Sequence, residues 1–262
     1  MGKVDLNFMP NVPVFDANAA LGRRHDKRVN VDTVEGTIAE MDRTGVTKAF
    51  VYAPHGAAYD STEGNQILLE TIGNNDRLVP QFCANPTFDK IDDFSKSVNS
   101  ANVKTIRIFP PLHNYPFSEW VVGEWLDWAE SENIAVWIPV NYETNWHGAL
   151  DIDPTQLHDT LKNRPNVNVI ISEIKYADFP WIMPLIRSLP NISVEISRWV
   201  IIDGIQRLIN AVGDQRILFG SRFPDSPMSP QLYNLHHNDL SDSALKDICA
   251  GNTERLTGVK VS

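Results

Sequence analysis

The feature of this sequence that most constrains its fold is a regular alternation of short apolar runs with longer amphipathic ones. Runs with the length of buried strands occur at 13–18, 48–54, 78–86, 103–109, 134–141, 167–174, 192–197 and 217–223. Segments with helical spacing of apolar residues follow them at 31–44, 61–74, 89–100, 117–133, 154–163, 181–188, 203–212 and 240–256. This strict alternation predicts an α/β fold, a parallel sheet closed into a (β/α)8 TIM barrel, formed by a single domain over residues 1–262.

An open, doubly wound sheet has the same alternation and is the alternative fold. Such sheets commonly carry a glycine-rich phosphate-binding loop after the first strand, and residues 18–22 have no such fingerprint. The chain also contains no linker rich in Pro, Gly or Ser that would divide it. Its 262 residues fit one barrel, which typically needs about 250. The barrel is therefore favoured.

Two residues predict where helices end or begin. Gly45 follows the first helical segment and is expected to stop it, because glycine readily adopts the left-handed conformation of a helix C-cap. Asp89 opens the third helical segment and is expected to cap it, because its carboxylate can accept from the first backbone N–H groups.

Composition excludes some partners and favours others. A net charge of −10 and a pI near 5.1 argue against a nucleic-acid or anionic-membrane surface, because phosphate groups are held chiefly by Lys and Arg. Residues 1–13 lack the pattern of a signal peptide, and no stretch approaches the roughly 20 apolar residues of a membrane span. Cys83 and Cys249 lie far apart, neither with a companion at metal-ligand spacing. We expect a reduced, cytoplasmic protein whose partner is a small molecule, with no nucleic acid and no membrane.

Charged side chains mark the predicted carboxyl ends of several strands, where the chemistry of such barrels is located. The stretch 217–225, Ile-Leu-Phe-Gly-Ser-Arg-Phe-Pro-Asp, indicates a buried strand that delivers Arg222 to its end. The fourth strand contains Arg107, the sixth is followed by Glu173 and the seventh by Arg198. Because buried polar groups without partners are costly, these residues predict a solvated pocket or a paired network.

The end of the chain resembles a known family. The run Phe-Gly-Ser-Arg-Phe-Pro within 217–225 is similar to the Phe-Gly-Ser/Thr-Asp-x-Pro run of the amidohydrolase superfamily, in its amidohydrolase-related (amidohydrolase 2) branch. Residues 240–256 resemble the family's terminal helix, with its Gly-Asn-x-x-Arg-Leu signature, and 190–197 resemble its seventh strand. The resemblance covers Phe15 to Val259 and implies a TIM barrel, together with a catalytic metal such as zinc.

The metal-binding positions that the resemblance implies are all replaced. The first strand keeps the family's aspartate but loses both histidines of its Asp-x-His-x-His run, strands five and six lose a histidine each, and strand eight loses its aspartate. The residues at these positions are Asn18, Ala20, Asn141, Glu173 and Arg222. Alanine and arginine cannot ligate a borderline divalent ion and asparagine does so weakly. We therefore predict no catalytic metal and no cofactor.

The replacing residues define a candidate catalytic site. In a barrel, Glu173 and Arg222 face the same cavity, where they can form a bidentate pair. An arginine can hold a substrate carboxylate or stabilise an oxyanion, and Glu173 can act as general base or acid. His25 in the first loop is the third candidate catalytic residue, since it can reach the pocket mouth. The candidate substrate-binding residues are Arg107 and Arg198, expected at the same rim, and Asn18, Asn141, Tyr142 and His55.

Each candidate also has a structural interpretation. Arg222 and Glu173 can form an ion pair that fills a former metal site without taking part in chemistry. The two asparagines can hydrogen-bond strand ends, and a single histidine in a loop is commonly solvated. The sequence leaves both interpretations open.

Two classes of function follow. The first is a metal-independent enzyme that hydrolyses an ester, lactone or amide, or acts as a lyase or decarboxylase, on a small carboxylated substrate. The second is a non-catalytic barrel with a binding or accessory role. Replacement of the lost ligands by polar and charged residues favours the enzyme, because simple decay would fill the cavity with apolar side chains. Association into a homo-oligomer through helix faces, with Trp120, Trp125 and Trp128 as candidates, also stays open.

Overall fold

A ring of parallel strands forms the centre of the molecule. The computed structural model describes residues 8–24, 27–142 and 152–262, and within them eight strands run in parallel. The strands are β1 (Phe15–Ala20), β2 (Lys48–Tyr52), β3 (Leu78–Pro80 and Phe82–Ala84), β4 (Thr105–Ile108), β5 (Ala135–Pro139), β6 (Val169–Ser172), β7 (Ile192–Glu195) and β8 (Ile217–Leu218).

Two junctions join these strands into the barrel. Strand β3 continues through Gln81: its first half pairs with β2, where Leu78 lies opposite Ala49, and its second half pairs with β4. At the other junction, Ala17 N donates to Phe219 O at 3.0 Å and Ala20 N donates to Phe223 O at 2.7 Å. The segment after β8 is thereby attached to β1, and the prediction of a TIM barrel is confirmed.

Helices surround the strands. They are α1 (Val34–Thr44), α2 (Pro54–Ala58), α3 (Ser61–Ile72), α4 (Ile91–Ser100), α5 (Pro110–His113), α6 (Glu119–Ser131), α7 (Pro154–Leu161), α8 (Phe179–Ser188), α9 (Gly204–Val212), α10 (Ser229–His236), α11 (Asp242–Lys246) and α12 (Asn252–Thr257). Single 3-10 turns lie at Tyr176–Asp178 and Asp214–Arg216, and a π-helical turn, Asp247–Gly251, joins α11 to α12.

The helices differ from the predicted strict alternation in two ways. Three further helices, α2, α5 and α10, lie in segments expected to be loops, each with a proline in its first turn. The single helix predicted over 240–256 is divided by the π-helical turn. None of the helices in the described ranges combines the length and apolar character that crossing a membrane requires.

The two predicted helix caps have different outcomes. Gly45 is the C-cap of α1, with φ of 74°, and its N–H donates to Met41 O, as expected. The cap predicted at Asp89 is wrong, because α4 begins at Ile91 after Lys90 and has no side-chain cap. The Asp89 carboxylate instead accepts from Ser61 Oγ at 2.6 Å, which ties the loop to the first residue of α3.

Apolar side chains fill the barrel below its polar end. The inner group contains Phe15, Phe50 and Trp137, whose rings lie 4.7 Å and 5.7 Å apart in turn, together with Ile170 and Leu218. A larger group packs between the strands and the surrounding helices. Because this core fixes the strands, it also fixes the polar residues at their carboxyl ends.

Two of the three tryptophans considered for association lie on α6 and pack against the core. Trp125 is buried and Trp128 is partly buried against the core, while Trp120 is 80% exposed.

Candidate functional site

A buried polar network centred on Asn18 closes the barrel interior below the mouth. Asn18 Nδ2 donates to Glu195 Oε2 at 2.8 Å, and Asn18 Oδ1 accepts from Arg107 Nη2 at 2.9 Å. Arg107 also donates from Nε to Gln81 Oε1 at 2.8 Å, and its guanidinium lies over the Tyr52 ring, 4.4 Å from the centroid. Strands β1, β4 and β7 and the Gln81 junction are therefore joined by side chains enclosed in the protein.

Glu195, at the end of β7, is the central acceptor of this network. Its Oε2 accepts from Ser197 Oγ at 2.9 Å and from Glu173 N at 3.3 Å, and its Oε1 accepts from Ser197 N. Burial, which disfavours the charged form, raises the pKa of Glu195 to about 7. A side chain at Gly220 would collide with this carboxyl, so glycine is required there. Glu195 can therefore hold or release a proton near neutral pH.

Asp16, the family aspartate on β1, fastens the first strand to the last. Asp16 Oδ1 accepts from Ser221 N at 2.9 Å and from Asn18 N at 3.0 Å, and Asp16 Oδ2 accepts from Ser221 Oγ. Burial raises the pKa of Asp16 to about 6, and the hydrogen bond from Ser221 opposes part of that rise.

Glu173 and Arg222 meet above this network, as the sequence predicts. Arg222 Nε lies 3.2 Å from Glu173 Oε2, and Arg198 Nη1 lies 3.8 Å from the same oxygen. The Arg222 contact joins one nitrogen to one oxygen and is not the bidentate geometry expected of this pair. The Glu173 side chain is 1% exposed, so its carboxylate is enclosed between the two guanidinium groups.

Both residues of this pair have an uncommon backbone conformation. Glu173 and Arg222 have φ of 61° and 64°, in the left-handed region that residues other than glycine rarely occupy. The other non-glycine residues with positive φ in the described ranges are Asn or Asp, which adopt this region more readily. Arg222 N donates to Asn18 O at 2.7 Å, and Glu173 N donates to the Glu195 carboxylate. The two residues are thus held in an uncommon conformation by the network below them.

Asp225 forms ion pairs with Arg222 and with two further cationic side chains. Its Oδ2 lies 2.7 Å from Arg24 Nη1, 3.0 Å from Lys27 Nζ and 3.3 Å from Arg222 Nη2. The Arg24 guanidinium also lies over the Tyr142 ring, 5.4 Å from its centroid. The mouth of the barrel therefore gathers several cationic side chains around two carboxylates.

Asn141, after β5, supports the same group. Its Nδ2 donates to Asp178 Oδ2 at 2.6 Å and to Glu173 O at 3.1 Å, and its backbone O accepts from Arg198 Nη1 at 2.7 Å. Asn141 thus positions both Glu173 and Arg198 through their hydrogen bonds.

Two predicted site residues have partners that the sequence did not indicate. Arg107 was expected at the rim but is fully buried, because Gln81 and Asn18 hold its guanidinium inside the barrel. His55, at the start of α2, contacts the carboxylate of Glu63 on α3 at 3.0 Å, and its ring stacks on Tyr59. His25 lies outside the described residues.

Sequence reasoning missed Glu195, Asp225 and Arg24 as parts of the site. Glu195 is the last residue of β7 and so had a positional signal, since strand ends line the mouth of a barrel. Asp225 and Arg24 lie in loops, and nothing in the sequence indicates that residues about 200 positions apart meet.

The residues at the implied metal positions do not fit a metal. Asn18 is committed to Arg107 and Glu195, and Glu173 is paired with Arg222, whose fixed positive charge would repel a cation. Ala20 offers no ligand atom. Within 8–24, 27–142 and 152–262, no three His, Cys, Asp or Glu side chains are grouped so that they could hold an ion.

Comparisons with known structures identify barrels of the same fold. The 5-carboxyvanillate decarboxylase of Novosphingobium aromaticivorans, solved with manganese and 4-hydroxy-3-methoxy-5-nitrobenzoic acid, is 14% identical with a TM-score of 0.74, over 95% of this chain and 97% of that one. The 2,6-dihydroxybenzoate decarboxylase from Rhizobium is 12% identical with a TM-score of 0.73, over 94% and 99%. Amidohydrolase 2 from Bifidobacterium longum subsp. infantis is 15% identical with a TM-score of 0.69, over 95% and 100%. At these identities the likeness concerns the fold.

Sequence comparison gives the family. A search of curated proteins found no match. The family model described as Amidohydrolase (Amidohydro_2) matches residues 15–259, which is nearly the whole chain. This chain therefore belongs to the amidohydrolase family Amidohydro_2.

Proposed function

We propose that this chain is a metal-independent hydrolase that cleaves an ester, lactone or amide bond in a small carboxylated substrate at the mouth of its barrel. The observation that carries the proposal is the pair of Glu173 and Arg222, both in the left-handed region and joined at 3.2 Å. Such backbone conformations cost free energy and concentrate at functional sites.

The cationic side chains at the mouth suit a carboxylated substrate. Arg222 and Arg198 both approach Glu173, and Arg24 and Lys27 reach Asp225. A guanidinium group matches a carboxylate in shape and charge, so a substrate carboxylate can exchange with these resident carboxylates. The net charge of the chain is −10, so this group of cations is a local departure from an acidic surface.

In the proposed reaction Glu173 is the general base. Its carboxylate takes a proton from a water molecule as the water oxygen attacks the substrate carbonyl carbon. The carbonyl oxygen becomes an oxyanion that a guanidinium of Arg222 or Arg198 stabilises. The bond to the leaving oxygen or nitrogen then breaks, and Glu173 returns the proton to that atom. Asn141 positions Glu173 and Arg198, while Asn18 and Arg107 support the pair from below.

Cleavage of a carbon–carbon bond is the second reaction to test. Two similar structures are decarboxylases, one of 5-carboxyvanillate and one of 2,6-dihydroxybenzoate. A lyase would release carbon dioxide from the bound carboxylate, whereas the hydrolase leaves that carboxylate intact.

A binding role without catalysis also has an observation in its favour. Glu173 is almost fully enclosed and already paired with Arg222, as a structural ion pair would be. In that case the same cations bind an anion that is not turned over.

The test replaces each member of the pair and compares it with an outer-surface pair of the same type, Glu40 and Arg43 on α1. Small carboxylated esters, lactones and amides are assayed with a chelator present, with carbon dioxide measured in parallel. We expect Glu173→Gln to lower kcat at least about 100-fold with little change in KM. Arg222→Gln is expected to weaken substrate binding about 10-fold or more. Glu40→Gln and Arg43→Gln should change neither.

Each other outcome has a defined meaning. Full activity in Glu173→Gln would show that Glu173 is not the general base. Binding that depends on Arg222 without turnover of any substrate favours the binding role. Release of carbon dioxide that depends on Glu173 favours the lyase. Activity that the chelator abolishes contradicts metal independence.

A further inference from the structure

A recess is lined in part by the residues that precede Arg198 and Arg222, which we call the arginine pair. It lies between the loop that follows β7 and the segment that follows β8, with a volume of about 580 Å³. Its walls include the apolar residues Val200, Ile201, Ile202 and Pro230 and the polar residues Ser226, Gln231 and Asn234. No ionisable residue lines it within the part of the chain that the structure describes. We call this recess the β7–β8 cavity. A neutral cavity beside a cationic site suggests a ligand with two unlike parts.

Ser197 and Ser221 also line the β7–β8 cavity. Both hydroxyls donate to buried carboxyl groups, Ser197 Oγ to Glu195 and Ser221 Oγ to Asp16. Because these hydroxyl protons are already used, the two serines offer no strong donor to a polar ligand.

The cavity is a fixed feature of the fold. Gln231 on α10 donates from Nε2 to Ile196 O at 2.9 Å and to Trp199 O at 3.1 Å. These bonds hold α10 against the loop that follows β7, and Pro230 on the same helix completes the wall.

The cavity and the arginine pair share the same two chain segments. Ser197 precedes Arg198 and Ser221 precedes Arg222, so in each segment one residue lines the cavity and the next contacts Glu173. Consecutive Cα atoms are about 3.8 Å apart. The cavity and the two arginines are therefore one residue apart along each segment.

Two aliphatic residues at this cavity are largely exposed to solvent. Val200 is 80% exposed and Ile202 is 88% exposed. A single exposed aliphatic residue is common, but two that flank one cavity beside a charged site offer apolar area for a ligand to cover. Among the described residues, the lining contains no aromatic ring on which a planar group could stack. The cavity therefore suits an alkyl group best.

From these observations we infer that the β7–β8 cavity binds the alkyl part of a substrate whose carboxylate lies at Arg198 and Arg222. The inference rests on the proposed anion site and narrows its substrate to carboxylates that carry an aliphatic chain.

The test measures binding of straight-chain carboxylates from acetate to octanoate by calorimetry or NMR titration. Each methylene that enters an apolar site contributes about threefold to fourfold in affinity, so affinity should rise by that factor per methylene beyond butanoate. In the double variant Val200→Ser and Ile202→Ser we expect the rise to fall below about twofold per methylene, with acetate affinity unchanged. Ile67→Ser, at an exposed isoleucine of α3 away from the cavity, is the matched control and should keep the full rise.

Arg222→Gln separates this inference from the proposed function. It should weaken binding of every carboxylate by the same factor. If wild-type affinity does not rise with chain length, or if the rise persists in the double variant, the cavity is not the alkyl site, although acetate binding that depends on Arg222 would keep the anion site. If acetate and the longer acids bind independently of Arg222, the anion site itself is wrong and the inference fails with it.

Discussion

Glu173 and Glu195 are neighbouring carboxyl groups, one beside cations and the other among neutral hydrogen-bond donors. Glu173 lies between the guanidinium groups of Arg222 and Arg198. Glu195 accepts only from neutral groups, the Asn18 amide, the Ser197 hydroxyl and two backbone N–H groups. Pairs of titratable groups in such different environments commonly divide acid and base roles between them. Glu195 is therefore the residue whose protonation most directly reports on the site.

The free energy of unfolding should reveal the titration of Glu195. Its pKa is about 7 in the folded protein against an ordinary value of 4.5. Between these values the unfolded chain is ionised at this residue while the folded protein keeps the proton, so this group makes stability fall as pH rises. Below pH 4.5 and above pH 7 its contribution is constant. The variant Glu195→Gln lacks this loss, so relative to wild type its free energy of unfolding should gain about 3 kcal/mol from pH 4.5 to pH 8.

Urea unfolding at pH 4.5, 6 and 8 measures this difference. The control is Glu70→Gln, which removes a glutamate at an exposed position of α3. A constant difference between Glu195→Gln and wild type across the three pH values would mean that Glu195 does not titrate in this window.

At the scale of single residues, the sequence predicted the pair and not its support. Glu173 and Arg222 each follow an apolar run that ends at the barrel mouth, so their meeting follows from the strand order. Their left-handed conformations, and the burial of Arg107 under Asn18, arise from contacts between β1, β4 and β7 that no local pattern contains. Glu195 depends in addition on the space left by Gly220, just after the neighbouring strand β8.

At the scale of elements, periodicity located the strands and the main helices but not their divisions. The eighth strand was expected over 217–223, yet its regular part is Ile217–Leu218, because the chain then turns to bond β1 and to place Arg222. Helix α2 was missed because Pro54–Ala58 is too short to show a helical period. Pairing between distant segments decides the first case, and the short length of the helix decides the second.

The crossing of α2 and α3 gives a prediction at this scale. Gly64 of α3 lies against the backbone of Gly56, and Asn65 joins the backbone N and O of Cys83 through two bonds of 2.8 Å. A methyl group at Gly64 would overlap the Gly56 backbone, which cannot move aside as a side chain can. In an isolated helix Gly→Ala stabilises by about 1 kcal/mol. Here we expect Gly64→Ala to lower the free energy of unfolding by about 1–3 kcal/mol.

Chemical denaturation of Gly64→Ala beside Thr62→Ala tests this point. Thr62 is exposed on the same helix, so its variant should change the free energy of unfolding by no more than about 0.5 kcal/mol. Stabilisation by Gly64→Ala would mean that α2 and α3 do not approach as closely as described.

At the scale of the whole molecule, side-chain bonds join the strand ends at the positions where the family resemblance implies a metal. Asn18 links β1 to Arg107 of β4 and to Glu195 of β7, and Arg222 links the end of β8 to Glu173 after β6. The fold was predictable because alternation over the full length specifies it. The contacts at the mouth depend on which side chains pair with one another across the ring of strands. Only the structure shows those pairs.

The junction between the first and last strands should control the stability of the entire barrel. Ser221 Oγ donates to Asp16 Oδ2 and accepts from Phe223 N, so Ser221→Ala leaves both groups without these partners. Each buried group left unpaired costs about 1–3 kcal/mol. Because the Ser221 bond lowers the pKa of Asp16, the variant should keep Asp16 protonated to higher pH and lose more stability at pH 8 than at pH 4.5. Circular dichroism and tryptophan fluorescence should report the same shift of a single unfolding transition, because strands at both chain ends share this junction. The control variant Ser100→Ala, at an exposed position of α4, should leave the transition unchanged. Loss of β1 as a separate step, seen as two transitions that do not coincide, would show instead that the ring can open at this junction while the rest of the barrel stays folded.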